Sequence, residues 1–258
     1  MKIEQSLAVH VGDISKRAGA VLMDYWGKPL TVNYKKDAGF VTVADLESEA
    51  FIIEELRKVD STIPFWAEER GISRNNSDWY WVIDPLDGTT NFAHHIPYFG
   101  VSIALTYKNE PQLGAIYDPL LEELFLAYKG GGAALNGKQL GVSSRPLKKC
   151  SLAVSLPYTS SDDFAADFKS FQLVLSNVDD LRIMGATALD LAYVAAGRFD
   201  GTFFRGLQWW DVAAGIIILQ EAGAIVSDFE GKTILPSYQS FLAAEPSLYD
   251  TLLKLLNL

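Results

Sequence analysis

The run Trp79-Tyr80-Trp81-Val82-Ile83 constrains the fold more than any other stretch, because it is aromatic and β-branched throughout and ends abruptly in polar residues. Such a run predicts a buried strand, and Asp84-Pro85-Leu86-Asp87-Gly88-Thr89-Thr90-Asn91-Phe92 follows where that strand leaves the core. Pro85 is expected to stop the ladder at once. The short connection can bring the carboxylates of Asp84 and Asp87 to one place. At an effective dielectric of 20, two bare anions ~4 Å apart repel by about 4 kcal/mol, so the pair needs a cation. Gly88 permits close backbone approach, and the amides of Gly88, Thr89 and Thr90, if they open a helix, form a positive-ended nest for an anion. Hard oxygen donors beside a phosphate cradle point to Mg²⁺. Asp-Pro and Asp-Gly are also ordinary turn chemistry, and either dipeptide alone reads as no more than that.

A chain of 258 residues with 49% hydrophobic content has ample material for a core, as one large domain or two closely packed lobes. The 22 basic and 32 acidic residues give a net charge of −10. That balance argues against broad binding to nucleic acid or to an anionic membrane, and a phosphate substrate then needs metal to approach. Cys150 is the single cysteine, so no internal disulfide forms, and its default role is a small buried hydrophobe. No signal-peptide pattern opens the chain, and the most apolar later run, residues 213–219, is too short to span a bilayer. A soluble cytoplasmic protein is the expectation.

Helical and extended patterns alternate along the rest of the chain. Apolar residues at three- and four-residue steps from Ile3 to Tyr25 predict an amphipathic helix, with His10 just off its stripe. Residues 31–43 read as extended and lead into a helix through Leu46, Ala50, Ile53 and Leu56, where Asp45 reads locally as an N-cap or first-turn carboxylate. Residues 62–66 form a short strand leading into Ala67-Glu68-Glu69-Arg70-Gly71, by itself a solvated turn. Adjacent His94 and His95 point to different faces and receive no role. Residues 100–107, 112–117 and 123–127 read as an antiparallel meander. The glycines at 130–132 are followed by no Gly-Lys-Ser/Thr, so a hairpin ending at Asn136-Gly137 is the stronger reading. A border between lobes is expected within residues 146–151, giving an N-terminal lobe of 1–147 and a C-terminal lobe of 148–258. Beyond it, strands at 151–156, 181–184, 199–204, 224–228 and 241–244 alternate with helices at 164–175, 185–196, from Trp209 and at 248–256. Local patterning alone supports mixed α and β.

Taken whole, Asp84-Pro85-Leu86-Asp87-Gly88-Thr89-Thr90-Asn91-Phe92 resembles the signature of the inositol monophosphatase family of Mg²⁺-dependent, lithium-sensitive phosphatases. Three further matches support it: Asp45 after Val41-Thr42, Glu68-Glu69 after a strand, and Trp210-Asp211-Val212-Ala213-Ala214-Gly215. The resemblance runs from about Val41 to Asp228 and implies an α+β fold, the layered αβαβα sandwich of the sugar phosphatases. It implies that Glu68, Asp84 and the Leu86 carbonyl hold one Mg²⁺, and that Asp84, Asp87 and Asp211 hold a second. Glu69 would stand behind Glu68. Thr89 and Asp45 would orient and deprotonate the attacking water, and the Gly88 and Thr89 amides would spread charge from the phosphoryl oxygens. Thr90 and the small residues Gly185-Ala186-Thr187 would lie beside the substrate. A third, weaker Mg²⁺ near Glu68, inhibition by Li⁺ and a homodimer follow from the resemblance only. Read locally, Asp211 is an N-cap and Gly185 a tight helix start.

The reaction so implied is hydrolysis of a small phosphorylated polyol or sugar, with inositol 1-phosphate the first expectation. Animal members of the family carry a glutamate seven residues before the Trp-Asp aspartate, where this chain has Phe204, with Arg205 beside it. Arg205 reads either as a partner for a second phosphate or carboxylate of the substrate or as a solvated strand-end residue. One alternative keeps the chemistry and changes the substrate to fructose 1,6-bisphosphate, histidinol phosphate, NADP or 3′-phosphoadenosine 5′-phosphate. Thr90 tilts against the nucleotide and histidinol compounds, because relatives directed to them often carry a charge there. A non-catalytic regulator that binds a protein partner and a structural metal-binding protein are the others. The intact carboxylates and Thr89 argue against both.

Overall fold

The computed structural model describes residues 3–29, 32–34, 40–73, 77–155 and 164–258. The chain opens with α1 (Gln5–Met23), a ribbon of β1 (Val32–Tyr34) and β2 (Phe40–Thr42), and α2 (Val43–Val59). The extended reading of 31–43 falls partly on residues 31 and 35–39, which lie outside the described residues. Then come β3 (Phe65–Ala67), β4 (Gly71–Ile72), β5 (Trp79–Asp87), the short α3 (Thr89–Ala93), β6 (Gly100–Tyr107), β7 (Glu110–Asp118), β8 (Glu123–Tyr128), β9 (Gly132–Leu135) and β10 (Lys138–Gln139). The last eight strands form one sheet in the order β10-β9-β8-β7-β6-β5-β3-β4, parallel only between β3 and β5. The C-terminal part contributes β11 (Ser151–Val154), α4 (Phe164–Leu175), β12 (Asp180–Arg182), α5 (Thr187–Ala195), β13 (Gly201–Arg205), α6 (Trp209–Glu221), β14 (Ile225–Ser227), β15 (Ser240–Ala244) and α7 (Pro246–Leu256). Its sheet runs β12-β11-β13-β15-β14.

Side-chain alternation on the strands decides the layers. On β5, Trp81 and Ile83 enter a cluster with Val11 and Ile14 of α1 and Ile52 of α2, whereas Val82 faces the other way, into a cluster with Leu189 of α5 and Val212 of α6. On β13, Phe204 joins that same α5–α6 cluster, while Phe203 points toward Val174 of α4 and Leu252 of α7. The order is therefore α1/α2, eight-stranded sheet, α5/α6, five-stranded sheet, α4/α7, the expected αβαβα sandwich. A helix held between two sheets must be apolar nearly all round, and α6 buries ten of its residues, Ile216 to Leu219 among them. Gly114 admits it: a Cβ there would stand 2.5 Å from the Ala214 carbonyl oxygen.

Two short strands differ from their expected positions. β3 starts at Phe65 and reaches Ala67, and β12 lies at Asp180–Arg182, leaving Ile183 exposed. Leu156, expected to end a strand, lies outside the described residues. The glycine hairpin is present, and the Glu221 carboxylate of α6 accepts the Gly130 and Gly132 amides at 2.8 Å each. That anion nest is filled by the protein itself.

Candidate active site

β5 does not stop at Pro85. It pairs with β6 through Asp84 opposite Ser102 and again at Asp87 opposite Gly100, so Pro85 and Leu86 face Val101 alone in a bulge. A proline breaks a ladder only where its missing amide is needed, and inside a bulge it is not. The Leu86 amide closes the turn on Asp84 Oδ1 at 3.1 Å. Gly88 follows with φ +89°, where an added Cβ would stand 3.0 Å from both the Tyr98 carbonyl oxygen and the Ala186 Cβ. Only glycine fits there without strain.

Asp45 and Thr89, 44 residues apart in sequence, meet at this point. Thr42 caps α2: its hydroxyl accepts the Ala44 amide, and its own amide and hydroxyl donate to Asp45 Oδ2 at 2.8 and 2.6 Å. Asp45 Oδ1 is left facing Thr89, whose Oγ1 lies 3.0 Å from it and 3.0 Å from the Leu86 carbonyl oxygen. Burial raises the Asp45 pKa, and the Thr42 donors pull it back.

The remaining four acids come from three places, the end of β3, β5 and α6. β3 runs parallel to β5 with Ala67 opposite Ile83, which sets Glu68 level with Asp84. Asp84 is buried, and burial followed by the charges of Glu68, Asp87 and Asp211 pushes its pKa well up. Asp87 accepts the Thr187 amide (3.1 Å) and the Ala188 amide (2.7 Å), so it caps α5 from across the molecule. Burial, then the Asp190 charge, carries Asp87 up to about 8 against those donors. Asp211, in the first turn of α6, accepts the Gln208 amide at 2.7 Å in a reciprocal capping box.

Among the described residues no three acidic, histidine or cysteine groups stand close enough to hold an ion as they are placed. The chemistry of the donor set nevertheless fits a hard divalent cation. Every donor is an oxygen, the charges of Glu68, Asp87 and Asp211 all raise the pKa of Asp84, and a cation would reverse that effect.

Of the residues expected beside substrate, Thr90 is exposed, and Ala186 and Thr187 are buried where Asp87 holds α5. Gly185 is exposed at φ +83°, and the buried Asn91 side chain donates to the Met184 carbonyl just before it at 2.9 Å. Arg205 is not brought to the acids. Strand alternation puts it on the Phe203 face, where its Nε lies 3.1 Å from Asp167 Oδ1 and its guanidinium lies 4.3 Å from the Phe229 ring centre. There it lines a cavity of about 730 Å³ with Asp228, Lys232 and Tyr238. The ion pair with Asp167 is neither of the two readings that the sequence offered for Arg205, a substrate partner or a solvated strand-end residue. Sequence reasoning missed Asn91, Asp190, Ser48 and Glu49. Ser48 and Glu49 follow Asp45 by three and four residues, a spacing that puts them on its face of the helix.

The Inositol monophosphatase family model matches residues 3–257. The chain belongs to the inositol monophosphatase family. It is 43% identical over 208 residues to the Nus factor SuhB of Pseudomonas aeruginosa, covering 78% of this chain and 77% of that protein. To the inositol-1-monophosphatase of Mesorhizobium japonicum it is 39% identical over 227 residues, covering 87% and 85%. The native crystal structure of the extragenic suppressor protein suhB from Bartonella henselae superposes with a TM-score of 0.92 at 36% identity, covering 98% of each chain. Membership implies phosphomonoester hydrolysis of the family's divalent-metal-dependent type. No described helix is long and apolar enough to cross a membrane.

Proposed function

We propose that the chain is a Mg²⁺-dependent phosphatase of a small phosphorylated polyol or sugar, inositol 1-phosphate first. The observation that carries it is the Thr89–Asp45 contact at 3.0 Å beside the buried Asp84. Glu68, Asp84 and the Leu86 carbonyl would hold one ion, and Asp84, Asp87 and Asp211 a second. When bound, the metal supplies a Lewis acid that lowers the pKa of water and neutralises charge on the phosphoryl and leaving oxygens. Thr42 keeps Asp45 Oδ1 directed at Thr89. Thr89 can then donate to Asp45 while its oxygen accepts from the attacking water, and the water proton passes by way of that hydroxyl to Asp45. Amides at the head of a helix have no intrahelical acceptor, so the start of α3 is open to phosphoryl oxygens.

Phe204 is 2% exposed and stacked on Phe241 at 4.7 Å. It offers a polyol no acceptor, and losing a charge-assisted hydrogen bond costs about 1.5 to 3 kcal/mol. Weak selectivity for inositol 1-phosphate follows, with fructose 1,6-bisphosphate the nearest rival. The name Nus factor carried by relatives favours a second reading, a protein partner beside or in place of catalysis. A homodimer and a cytoplasmic setting complete the proposal. Phosphate release from inositol 1-phosphate, fructose 1,6-bisphosphate, histidinol phosphate and NADP tests it. Turnover of the first two in Mg²⁺ supports it, turnover of NADP alone transfers the assignment to nucleotides, and no release from any leaves the partner-binding reading.

A further inference from the structure

Helix α2 sends three polar side chains to three separate parts of the site. Asp45 meets Thr89, and Ser48 Oγ donates to the Pro85 carbonyl at 3.0 Å inside the β5 bulge. Glu49, with no exposed surface, accepts the Glu69 amide on Oε2 at 2.8 Å, while Arg70 Nε lies 3.3 Å from its Oε1. Residues three and four apart share one helix face, so a single rigid turn fixes the mutual spacing of these contacts. Glu68 sits between two anchors. Its own amide donates to the Ile83 carbonyl at 3.1 Å, and the next amide along belongs to Glu49.

A buried carboxylate is an expensive way to close a turn. Arg70 is about half exposed, and Oε1 makes no aligned hydrogen bond, so the pairing offsets only part of that cost. An apolar residue would pack α2 against the core without it. The expense has a purpose if the position of the neighbouring Glu68 matters. We propose that Glu49 is a positioning residue: by holding the Glu69 amide it fixes the Glu68 carboxyl at the spacing from Asp84 that a shared divalent cation requires. This rests on the reading of Glu68 and Asp84 as ligands of one cation.

The test titrates Mg²⁺ against the parent, Glu49→Gln and Arg70→Gln, reading the rise in Tm and, separately, phosphate release. Glutamine keeps the shape and one acceptor for the Glu69 amide. The Mg²⁺ concentration for half the Tm rise should move up by about 10-fold or more in Glu49→Gln, the size usual for groups that orient metal ligands. The half-activating Mg²⁺ concentration should move with it, while KM at saturating Mg²⁺ stays near the parent value. Arg70→Gln, which alters a half-exposed side chain, should shift both midpoints in the same direction by a smaller factor. Equal loss of Tm with and without Mg²⁺, and unmoved midpoints, would show a merely structural role and overturn the proposal. If Glu49→Gln fails to fold, unmoved midpoints in Arg70→Gln overturn it alone. A parent whose Tm does not respond to Mg²⁺ removes the cation reading of Glu68 and Asp84, and this inference with it.

Discussion

Thr89 has one hydroxyl hydrogen and two acceptors, Asp45 Oδ1 and the Leu86 carbonyl, each at 3.0 Å. In the proposed mechanism this hydroxyl acts on the reacting water and binds little of the substrate. Thr89→Ala is therefore expected to lower kcat by about 100-fold or more with KM within a few-fold of the parent, the pattern of an interaction made in the transition state. Steady-state phosphate release checks this, and a pure KM effect would remove Thr89 from that role. Asp45 and Thr89 were legible because each sits in a recognisable string. Glu49, Ser48 and Asp190 were not, since a lone acid or serine in a helical pattern reads as a solvated residue until the turn it touches is known. Asp190 shows how much is hidden: Tyr98 donates to its Oδ1 at 2.8 Å, it is buried, and it raises the pKa of Asp87 from 103 residues away.

At the scale of elements, β5 and its exit organise the site. The strand itself was legible from five aromatic and β-branched residues, whereas its continuation through Pro85 was not. A bulge exists only relative to a partner strand, and the partner Val101 is known only once β6 is paired. The direction of Arg205 was left open for a related reason, because alternation gives two faces without saying which one carries α5 and α6. The tight exit makes Gly88 a sensitive position. Gly88→Ala would place a Cβ 3.0 Å from the Tyr98 carbonyl at φ +89°, and a strained backbone of this kind costs about 1 to 3 kcal/mol. The expected result is a lower midpoint in urea with an unchanged slope. A midpoint equal to the parent's would mean that the turn relaxes without cost.

For the whole molecule, the layered arrangement was legible only through the family resemblance, because the order of layers depends on strand pairings as distant as β3 with β5 and β13 with β15. The buried acids between those layers have a consequence for stability. Asp87 and Asp190 are each pushed up to about 8, chiefly by burial, from an ordinary 3.8. Between those values the metal-free folded state holds protons that the unfolded chain has released, so stability falls as pH rises through that window. Metal-free Tm should decline from about pH 5 to about pH 8.5, and the Tm gained on adding Mg²⁺ should be larger at the upper end, where the cation offsets ionised carboxylates. A metal-free Tm that is flat or rises over this range would contradict the pairing of these acids.

The most direct measurement is a Mg²⁺ titration of phosphate release from inositol 1-phosphate by the parent and Asp84→Asn, with Tm recorded alongside in the absence of metal. The substitution keeps the side-chain shape and removes a buried charge that Glu68, Asp87 and Asp211 already disfavour. The expected result is Mg²⁺-dependent release by the parent, less than about one hundredth of that rate in the variant at every Mg²⁺ concentration, and a metal-free Tm equal to or above the parent's. Release by Asp84→Asn within a few-fold of the parent, or parental release that needs no divalent cation, would contradict the placement of catalysis at this cluster.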